Sequence, residues 1–505
     1  MAQDNLEQIQ SASSDRIDDE KSSEYDTIHG DEAAKVLGSY DGPREWDPAE
    51  EKRLVRRIDK KLMPILFFTY GLQFYDEQML SQAAIFGMRD ELALRVDNRY
   101  SFASAIFYLG FISGAYPAIV LTQRYPIEKV MFLIVLLWGI CLISTAAVTN
   151  FQGLYAQRFF LGCLEAGVSP GWMMIVGGWY RKDEQAFRVG IWYSAVGFSN
   201  IISALVNWGL GHVSGSLSPW QYMYLVAGAV IILWAFVILF YLPPDPIRVK
   251  SFTEREHYIA VARLKENNSG VRNTQSKKEQ AMELLRDEKF WLLFLTTLTL
   301  LFVNGPTTSF IPIIIQQLGF TGFTSLLLLL PGGFILGCVQ LIVSYCAMKF
   351  KNIRTWLVAA MAGVSLLACV LLRQLPIEQT GARLFALFIV GWWGGGYAVL
   401  MGLSMANCAG YTKRSATSSG IFVAFCLGNF FGPLTFLESE APYYTTGWNI
   451  MIVTLVISIC SIVAYRFVCI WTNKRRDASG SAEGFDNAYQ DNLTDKKNEQ
   501  FRYTL

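Results

Sequence analysis

The chain has 505 residues, of which 52% are hydrophobic, 14% aromatic and only 17% charged. Soluble domains carry about 25% charged residues, so this deficit indicates a surface that faces lipid. The formal net charge is +1, with 43 Lys and Arg against 42 Asp and Glu, which argues against a general nucleic-acid binder.

Twelve apolar stretches are long enough to cross a membrane, which requires about 20 mostly apolar residues. Lipid offers no partners to backbone groups, and the short alternating strands of a barrel are absent, so the stretches are predicted to be helices. The fold class is therefore an all-α membrane protein. Numbered span one to span twelve, the predicted ranges are 60–80, 102–122, 130–149, 154–176, 188–210, 221–242, 291–315, 323–347, 355–373, 383–406, 415–437 and 449–471.

A polar middle loop divides the spans into two groups of six, and polar tails precede and follow them. Lys and Arg are concentrated in the connections on the side of both termini, which predicts that the termini and the middle loop are cytoplasmic. The loop contains Thr253-Glu254-Arg255-Glu256, a capping box that predicts a surface helix to about Leu264. This loop is interpreted as a solvated linker, with a regulatory element as the alternative. The predicted organisation is a disordered acidic tail over 1–55, a six-helix half over 56–243, the middle loop over 244–290, a second half over 291–472 and a disordered tail over 473–505.

Small residues recur at matched positions in the two halves. Gly110 and Gly114 lie four residues apart in span two, as Gly333 and Gly337 do in span eight. Gly197-x-x-Asn200 in span five is matched by Gly428-Asn429 in span eleven. Small faces allow close helix approach, and recurrence six spans later is typical of a transporter built from two related halves.

The sequence lacks the residues that metal binding, ATP hydrolysis and nucleophilic catalysis require. The nine Cys lie in or beside spans without C-x-x-C spacing, and the three His are scattered, so we expect neither a metal site nor a cofactor. The sequence has no phosphate-binding G-x-x-x-x-G-K-[ST] motif, which argues against an ATP-driven pump. No nucleophile with an adjacent base is recognisable, so an enzyme is not expected.

Four of the charged residues within predicted spans stand out, because ionisable groups there are costly and usually functional. Asp76 and Glu77 lie late in span one, whereas Arg158 and Glu165 are seven residues apart on one face of span four. Burial favours a protonated carboxyl and a nearby guanidinium favours an ionised one, so a carboxyl here could exchange a proton as Arg158 turns to a substrate anion. The alternatives are a structural ion pair in span four and an interfacial position for Asp76 and Glu77.

Polar and aromatic residues in the second half are predicted to complete a substrate cavity. Asn304-Gly305-Pro306 interrupts span seven and frees carbonyl groups, which is tolerated only against protein or water. Trp393 and Tyr397 lie in a glycine-rich part of span ten, and Asn429 lies in span eleven. Packing alone is the alternative role for the residues of spans seven and ten.

Several longer motifs resemble the major facilitator superfamily, specifically the anion:cation symporter family and its fungal allantoate permease group. They are Arg158-Phe-Phe-Leu-Gly162-Cys-Leu-Glu165-Ala-Gly-Val-Ser-Pro170-Gly171, Trp179-Tyr180-Arg-Lys-Asp-Glu184-Gln185, Tyr108-Leu-Gly110 through Gln123-Arg124-Tyr-Pro126, Asn407-Cys-Ala-Gly410-Tyr-Thr412-Lys413-Arg414, Asn267-Asn-Ser-Gly270 and Asp287-Glu-Lys289-Phe-Trp291. The resemblance covers about residues 55–472.

The resemblance implies proton symport of a small organic solute, such as a ureide, vitamin or other carboxylate, by alternating access of two six-helix halves. It implies a monomer in the plasma membrane whose partners are the solute, protons and lipid. By the family pattern, Asp76 and Glu165 are the proton-linked carboxyls and Arg158 is the cation facing them. Five residues of the family motifs are expected to form the gates: Arg124, Lys129, Asn407, Lys413 and Arg414.

Two departures from the family pattern affect this interpretation. Glu77 stands where relatives commonly carry Arg or Lys, which leaves room for a zwitterionic, neutral or cationic solute. Glu128 stands before Lys129, where Gly is usual, and its effect is expected to stay at the cytoplasmic gate. A nutrient sensor that does not transport is a further alternative, although sensing alone would not require the Arg158 and Glu165 pair.

Overall fold

The computed structural model of the chain describes residues 40, 42–43, 45–246, 248–249, 251–265, 278–480 and 494–505. These residues form helices joined by short connections and include no β-strand. Residues 1–39 of the predicted N-terminal tail, residues 266–277 of the middle loop and residues 481–493 of the predicted C-terminal tail lie outside the described residues.

All twelve predicted spans correspond to helices. Ten helical segments of the described chain are long and apolar enough to cross a membrane. The remaining two are span one, which carries five Gln, Asp or Glu between residues 73 and 82, and span five, which is split at Ser194. In chain order the helices of the spans are Pro48–Ala83; Arg99–Arg124; Ile127–Ser144; Phe151–Glu165 with Val168–Trp179; Lys182–Tyr193 with Ala195–Leu210; Pro219–Tyr241; Glu288–Leu301 with Asn304–Gln317; Gly322–Leu327 with Leu329–Lys349; Arg354–Gln374; Thr380–Val390 with Trp393–Ala406; Tyr411–Leu434; and Thr445–Ala478.

The breaks within spans have local causes. In span seven the second helix begins at Asn304, so Pro306 lies in its first turn, where the missing N–H of a proline is tolerated. Thr307 donates its hydroxyl to the carbonyl of Val303 at 3.0 Å, and Thr308 donates to the carbonyl of Asn304 at 3.1 Å. Side chains of the same span therefore bind carbonyl groups around the break, as a chain in lipid requires.

The predicted small-residue faces are places of close helix approach. A Cβ on Gly110 would overlap the carbonyl oxygen of Phe159, and a Cβ on Gly162 would overlap that of Phe107, so spans two and four pack backbone against backbone. In the second half the matching face packs differently, because a Cβ on Gly197 of span five would lie 2.7 Å from the Cα of Gly337 in span eight. The small residues of span eight thus serve contact between the two halves.

The described chain divides into two compact units, and the smaller one comprises the described residues up to Leu62, Met174–Gln185 and the described residues of 243–265. Its middle-loop helix is Glu254–Lys265, and Thr253 and Glu256 form the predicted capping box, with the Thr253 N–H donating to Glu256 Oε2 at 2.9 Å. Within this unit Arg255 forms a two-point ion pair with Glu50, at 2.5 and 2.8 Å.

Two segments predicted to be disordered have defined packing. The first helix begins at Pro48 rather than after residue 55, and Tyr40 stacks on Tyr258 with ring centroids 4.5 Å apart. The last helix continues to Ala478, and residues 494–505 fold onto the second half, with Tyr503 only 3% exposed. Aromatic side chains among polar residues explain both differences, since each ring buries apolar surface that offsets the ordering of its segment.

Candidate functional site

Three spans of the first half surround the predicted proton-linked residues. Asp76 of span one is fully buried, and Glu165 and Arg158 of span four are 2% and 4% exposed. The carboxyls of Asp76 and Glu165 lie within hydrogen-bonding reach of each other, and Arg158 interacts electrostatically with both. Trp138 of span three donates its indole N–H to Asp76 Oδ2 at 2.7 Å.

Several polar atoms of this cluster have no hydrogen-bond partner in the part of the chain that the structure describes. Oδ1 of Asp76, Oε1 of Glu165, and Nε and Nη1 of Arg158 are buried without a hydrogen-bond partner among the described residues. The guanidinium carbon of Arg158 instead lies 5.1 Å from the ring centroid of Phe107. Buried polar atoms are normally satisfied, so these atoms have unused capacity for a proton or a polar ligand.

Glu77 extends the cluster toward the second half. Its carboxylate is half-buried and accepts a hydrogen bond from the hydroxyl of Tyr108 at 2.9 Å. Glu77 also lies within hydrogen-bonding reach of Asn304 and interacts with Arg158. Three carboxyls from spans one and four therefore lie within electrostatic range of the guanidinium of Arg158.

Asn304 and Asn429 form a polar pair between spans seven and eleven. The amide of Asn304 donates to Asn429 Oδ1 at 2.7 Å, and the amide of Asn429 donates to the carbonyl of Phe425 at 2.9 Å. The pair is buried, at 7% and 0% exposed. Through Asn304 it adjoins Glu77, so these two predicted residues join the carboxyl cluster.

Tyr397 is connected to the cluster through aromatic contacts, whereas Trp393 is not. The ring of Phe425 in span eleven lies 6.3 Å from that of Tyr108 and 5.8 Å from that of Tyr397. Trp393 is 9% exposed, and its backbone N–H donates to the hydroxyl of Ser365 in span nine at 2.9 Å. This hydrogen bond connects Trp393 to span nine rather than to the carboxyls.

The five predicted gate residues differ in burial and in what they contact. Asn407 and Lys413 are buried and meet residues 494–505, with the amide of Asn407 donating to the carbonyl of Thr504 at 2.8 Å and Lys413 Nζ lying 2.8 Å from Asp495 Oδ1. Lys129 and Arg414 are exposed. The side chain of Arg124 lies outside the described part of the chain.

Three contributors to the site were not predicted: Trp138, Phe425 and the hydroxyl of Tyr108. Tyr108 belongs to a motif that carried the family resemblance, but no role was assigned to it. Trp138 and Phe425 each resemble one more apolar residue of a span. A Trp near the middle of a predicted span was the available signal, because a buried indole N–H requires an acceptor.

Polar contacts between the two halves occur at the end of the bundle that carries the connections 92–98, 211–218 and 435–444, here called the distal end. Arg89 and Glu438 form an ion pair at 2.5 Å, with side chains 3% and 18% exposed. The hydroxyl of Tyr100 donates to the carbonyl of Ser309 at 2.7 Å. These contacts hold the halves together at the distal end.

A second charged cluster lies where span seven begins. Lys413 Nζ contacts Asp287 Oδ2 at 2.7 Å and Glu283 Oε1 at 3.0 Å. Burial alone would raise the pKa of Asp287, but the ammonium groups of Lys413 and Lys289 outweigh burial and hold this pKa below its usual value. Asp287 is therefore ionised at neutral pH. The described residues contain no group of three or more His, Cys, Asp or Glu that could hold a metal ion.

Comparison with known proteins shows the relationships of the chain. A model of the Major Facilitator Superfamily matches residues 66–433. The chain is 31% identical to an uncharacterized transporter of Schizosaccharomyces pombe, covering 94% of this chain and 89% of that protein. It is 30% identical to the allantoate permease of Saccharomyces cerevisiae, covering 91% and 88% of the two chains. Among solved structures it resembles a D-xylose–proton symporter, with a TM-score of 0.62, 14% identity and coverage of 80% of this chain and 96% of that chain, which is a likeness of fold.

Proposed function

Because the chain belongs to the major facilitator superfamily and to its fungal allantoate permease group, we propose that it imports a small organic solute together with protons across the plasma membrane. The family makes it a multi-pass membrane transporter rather than an enzyme. The predicted division into two six-helix halves agrees with this fold. Proton coupling, the solute and a plasma-membrane position with cytoplasmic termini are our proposal.

The observation that carries the proposal is the contact between the carboxyls of Asp76 and Glu165 beside Arg158. Two buried carboxylates repel each other, by about 4 kcal/mol at 4 Å and an effective dielectric constant near 20. A proton held between them removes this repulsion and gives one carboxyl oxygen a donor. A solute that binds Arg158 changes the charge facing both carboxyls, and thereby links solute binding to release or uptake of the proton.

Glu165→Gln tests proton coupling. The variant keeps the shape of the side chain but cannot exchange a proton, so we expect proton-driven accumulation to be lost while exchange of bound solute continues. The measurement is uptake of radiolabelled allantoate, then of nicotinate, pantothenate and amino acids, by proteoliposomes with and without an imposed pH gradient. Glu378→Gln, in an exposed connection, is the matched control.

Concentration of any of these solutes by the Glu165→Gln protein would contradict the proton-carrying role of Glu165. Failure of the unmodified protein to move any solute that it binds would favour the sensor alternative.

A cargo with a cationic group is a second candidate, favoured by the ratio of three carboxyls to one guanidinium around Arg158. Net negative charge in a buried site favours a cation as its partner. Glu77→Lys should then weaken binding of cationic and zwitterionic solutes and improve binding of carboxylates. Reversing the charge changes a contact energy of about 1 to 4 kcal/mol at 4 Å, which corresponds to roughly a tenfold or larger change in relative affinity.

The measurement for Glu77→Lys is competition by matched anionic, zwitterionic and cationic solutes, with Glu378→Lys as control. Unchanged selectivity would mean that the carboxylate of Glu77 does not face the cargo.

A further inference from the structure

Residues 494–505 lie against the second half as a run of turns up to residue 500, followed by residues 501–505, which are neither helix nor strand. We propose that this segment is an intramolecular peptide ligand, and that its docking sets the position of the connection between spans ten and eleven. The site it occupies is specific for a peptide that carries one acidic and one aromatic residue. This inference concerns the second half alone and does not depend on the cargo or on proton coupling.

Two asparagines recognise the backbone of the segment. Asn473 donates its amide to the carbonyl of Tyr503 and accepts the N–H of Tyr503, both at 2.9 Å. Asn407 makes the same reciprocal pair with Thr504, at 2.8 and 2.7 Å. Paired bonds of this kind satisfy the backbone N–H and C=O of one residue together, as a neighbouring strand would.

Asp495 supplies the side-chain anchor. It is 1% exposed, lies 2.8 Å from Lys413 Nζ and accepts the hydroxyl of Tyr503 at 2.7 Å. The ring of Tyr503 in turn lies 4.7 Å from Lys289 Nζ. A buried carboxylate with a cation and a hydroxyl in place is a built site rather than a chance surface contact.

The segment contacts five of the six spans of the second half. In addition to the contacts above, the backbone N–H of Arg354 donates to the carbonyl of Leu505 at 3.0 Å, and Arg476 donates to the carbonyl of Phe501 at 2.6 Å. The contacting residues belong to the beginnings of spans seven, nine and eleven and the ends of spans ten and twelve: Lys289, Arg354, Lys413, Asn407, Asn473 and Arg476. Because Asn407 and Lys413 flank the connection 408–412, docking fixes both of its ends.

The charges around Lys413 are balanced with or without the segment. With the segment in place, three lysines (Lys289, Lys413, Lys496) face three acids (Glu283, Asp287, Asp495). Removing residues 494–505 removes Lys496 and Asp495 together, so two lysines still face two acids. A chain that ends at residue 493 should therefore fold, with the peptide site open.

Binding of the segment as a separate peptide tests the proposal. A fluorescent peptide of residues 494–505 should bind the purified chain that ends at residue 493, and should bind the full chain at least about tenfold more weakly because the site is already filled. A peptide with Asp495→Asn should also bind the shortened chain at least about tenfold more weakly, because it leaves Lys413 without one of its anions. A peptide with Lys497→Gln is the control, since Lys497 is exposed, and should bind like the parent peptide.

Hydrogen exchange of the full chain keeps the proposal testable if the shortened chain does not fold. Backbone amides of residues 408–412 should exchange faster in Asp495→Asn and in Asn473→Ala than in the parent protein, and Lys497→Gln should leave them unchanged. Equal peptide binding by full and shortened chains, binding that does not depend on Asp495, or unchanged exchange at 408–412 would each overturn the inference.

Discussion

Single atoms decide how closely spans two and four approach. Gly110 and Gly162 face each other's span, and a Cβ on either would overlap a backbone carbonyl oxygen that cannot move independently of its helix. Gly162 also lies between Arg158 and Glu165 in the sequence, so a displacement of span four would shift the carboxyl cluster. The close packing at these glycines therefore also determines where the carboxyl cluster lies.

Gly162→Ala should be strongly destabilising for its size. Overpacking a tight contact costs about 1 to 3 kcal/mol, so we expect a clearly lower Tm in detergent and reduced uptake. Gly363→Ala in span nine is the matched control, because no atom lies within 4 Å of its added methyl group. Equal Tm values for the two variants would show that spans two and four separate without cost.

The middle-loop helix Glu254–Lys265 shows how a polar element is held in place. Arg255 binds Glu50 through two hydrogen bonds, while Arg263, fully buried, pairs with Glu184 and lies 3.6 Å from Glu51. The hydrogen bonds from Arg255 hold the pKa of Glu50 below its usual value. The ion pair of Arg255 with Glu50 therefore helps to hold this helix, beside the stacking of Tyr258 on Tyr40.

Acid should release this helix. A carboxyl whose pKa is lowered by folding contributes stability above its unfolded pKa, near 4, and loses that contribution as pH falls through the lower folded value. We expect hydrogen exchange of residues 254–265, corrected for intrinsic rates, to be constant from pH 7 to about 5 and to accelerate below about pH 4. In Glu50→Gln the protection at neutral pH should be reduced and the acid step smaller. An acid step of the same size in both proteins would assign it to other carboxyls.

The two halves as a whole are joined at the distal end by the ion pair of Arg89 and Glu438 and the contact of Tyr100 with Ser309. In a transporter that works by alternating access, such contacts must form and break in each cycle. Their strength therefore biases the population of the distally closed state. Arg89 is almost fully buried, so losing its partner leaves a costly charge.

Glu438→Gln should shift the protein toward distal opening. A loss of about 1.4 kcal/mol from the closed state raises the population ratio of open to closed roughly tenfold. The measurement is labelling of Ser104→Cys, a buried distal position, by a membrane-impermeant maleimide, relative to labelling of the parent protein. Arg95→Gln is the control, because Arg95 pairs with Asp90 where both side chains are more than half exposed. Labelling equal to that of the control would show that the ion pair does not hold the halves closed.

Much of the fold can be predicted from the sequence, because each membrane-spanning helix requires a long apolar run that is visible in the sequence. Apolar runs predicted all twelve spans, and Asn304 marked where span seven breaks. The capping box of Thr253 predicted the middle-loop helix, since its bonds join residues three apart. The family was also recognisable from contiguous motifs, the longest being the one that runs from Arg158 to Gly171.

Only the tertiary structure decided which side chains meet. The sequence determined that Asp76, Glu77, Arg158 and Glu165 are charged residues in a membrane, because their cost there depends on chemistry and depth alone. It did not determine that Trp138 is the donor to Asp76, that Phe425 joins Tyr108 to Tyr397, or that Asn407 and Asn473 bind the backbone of residues 503 and 504. These contacts connect residues far apart in the chain, and their geometry depends on how the helices pack, which composition and spacing do not record.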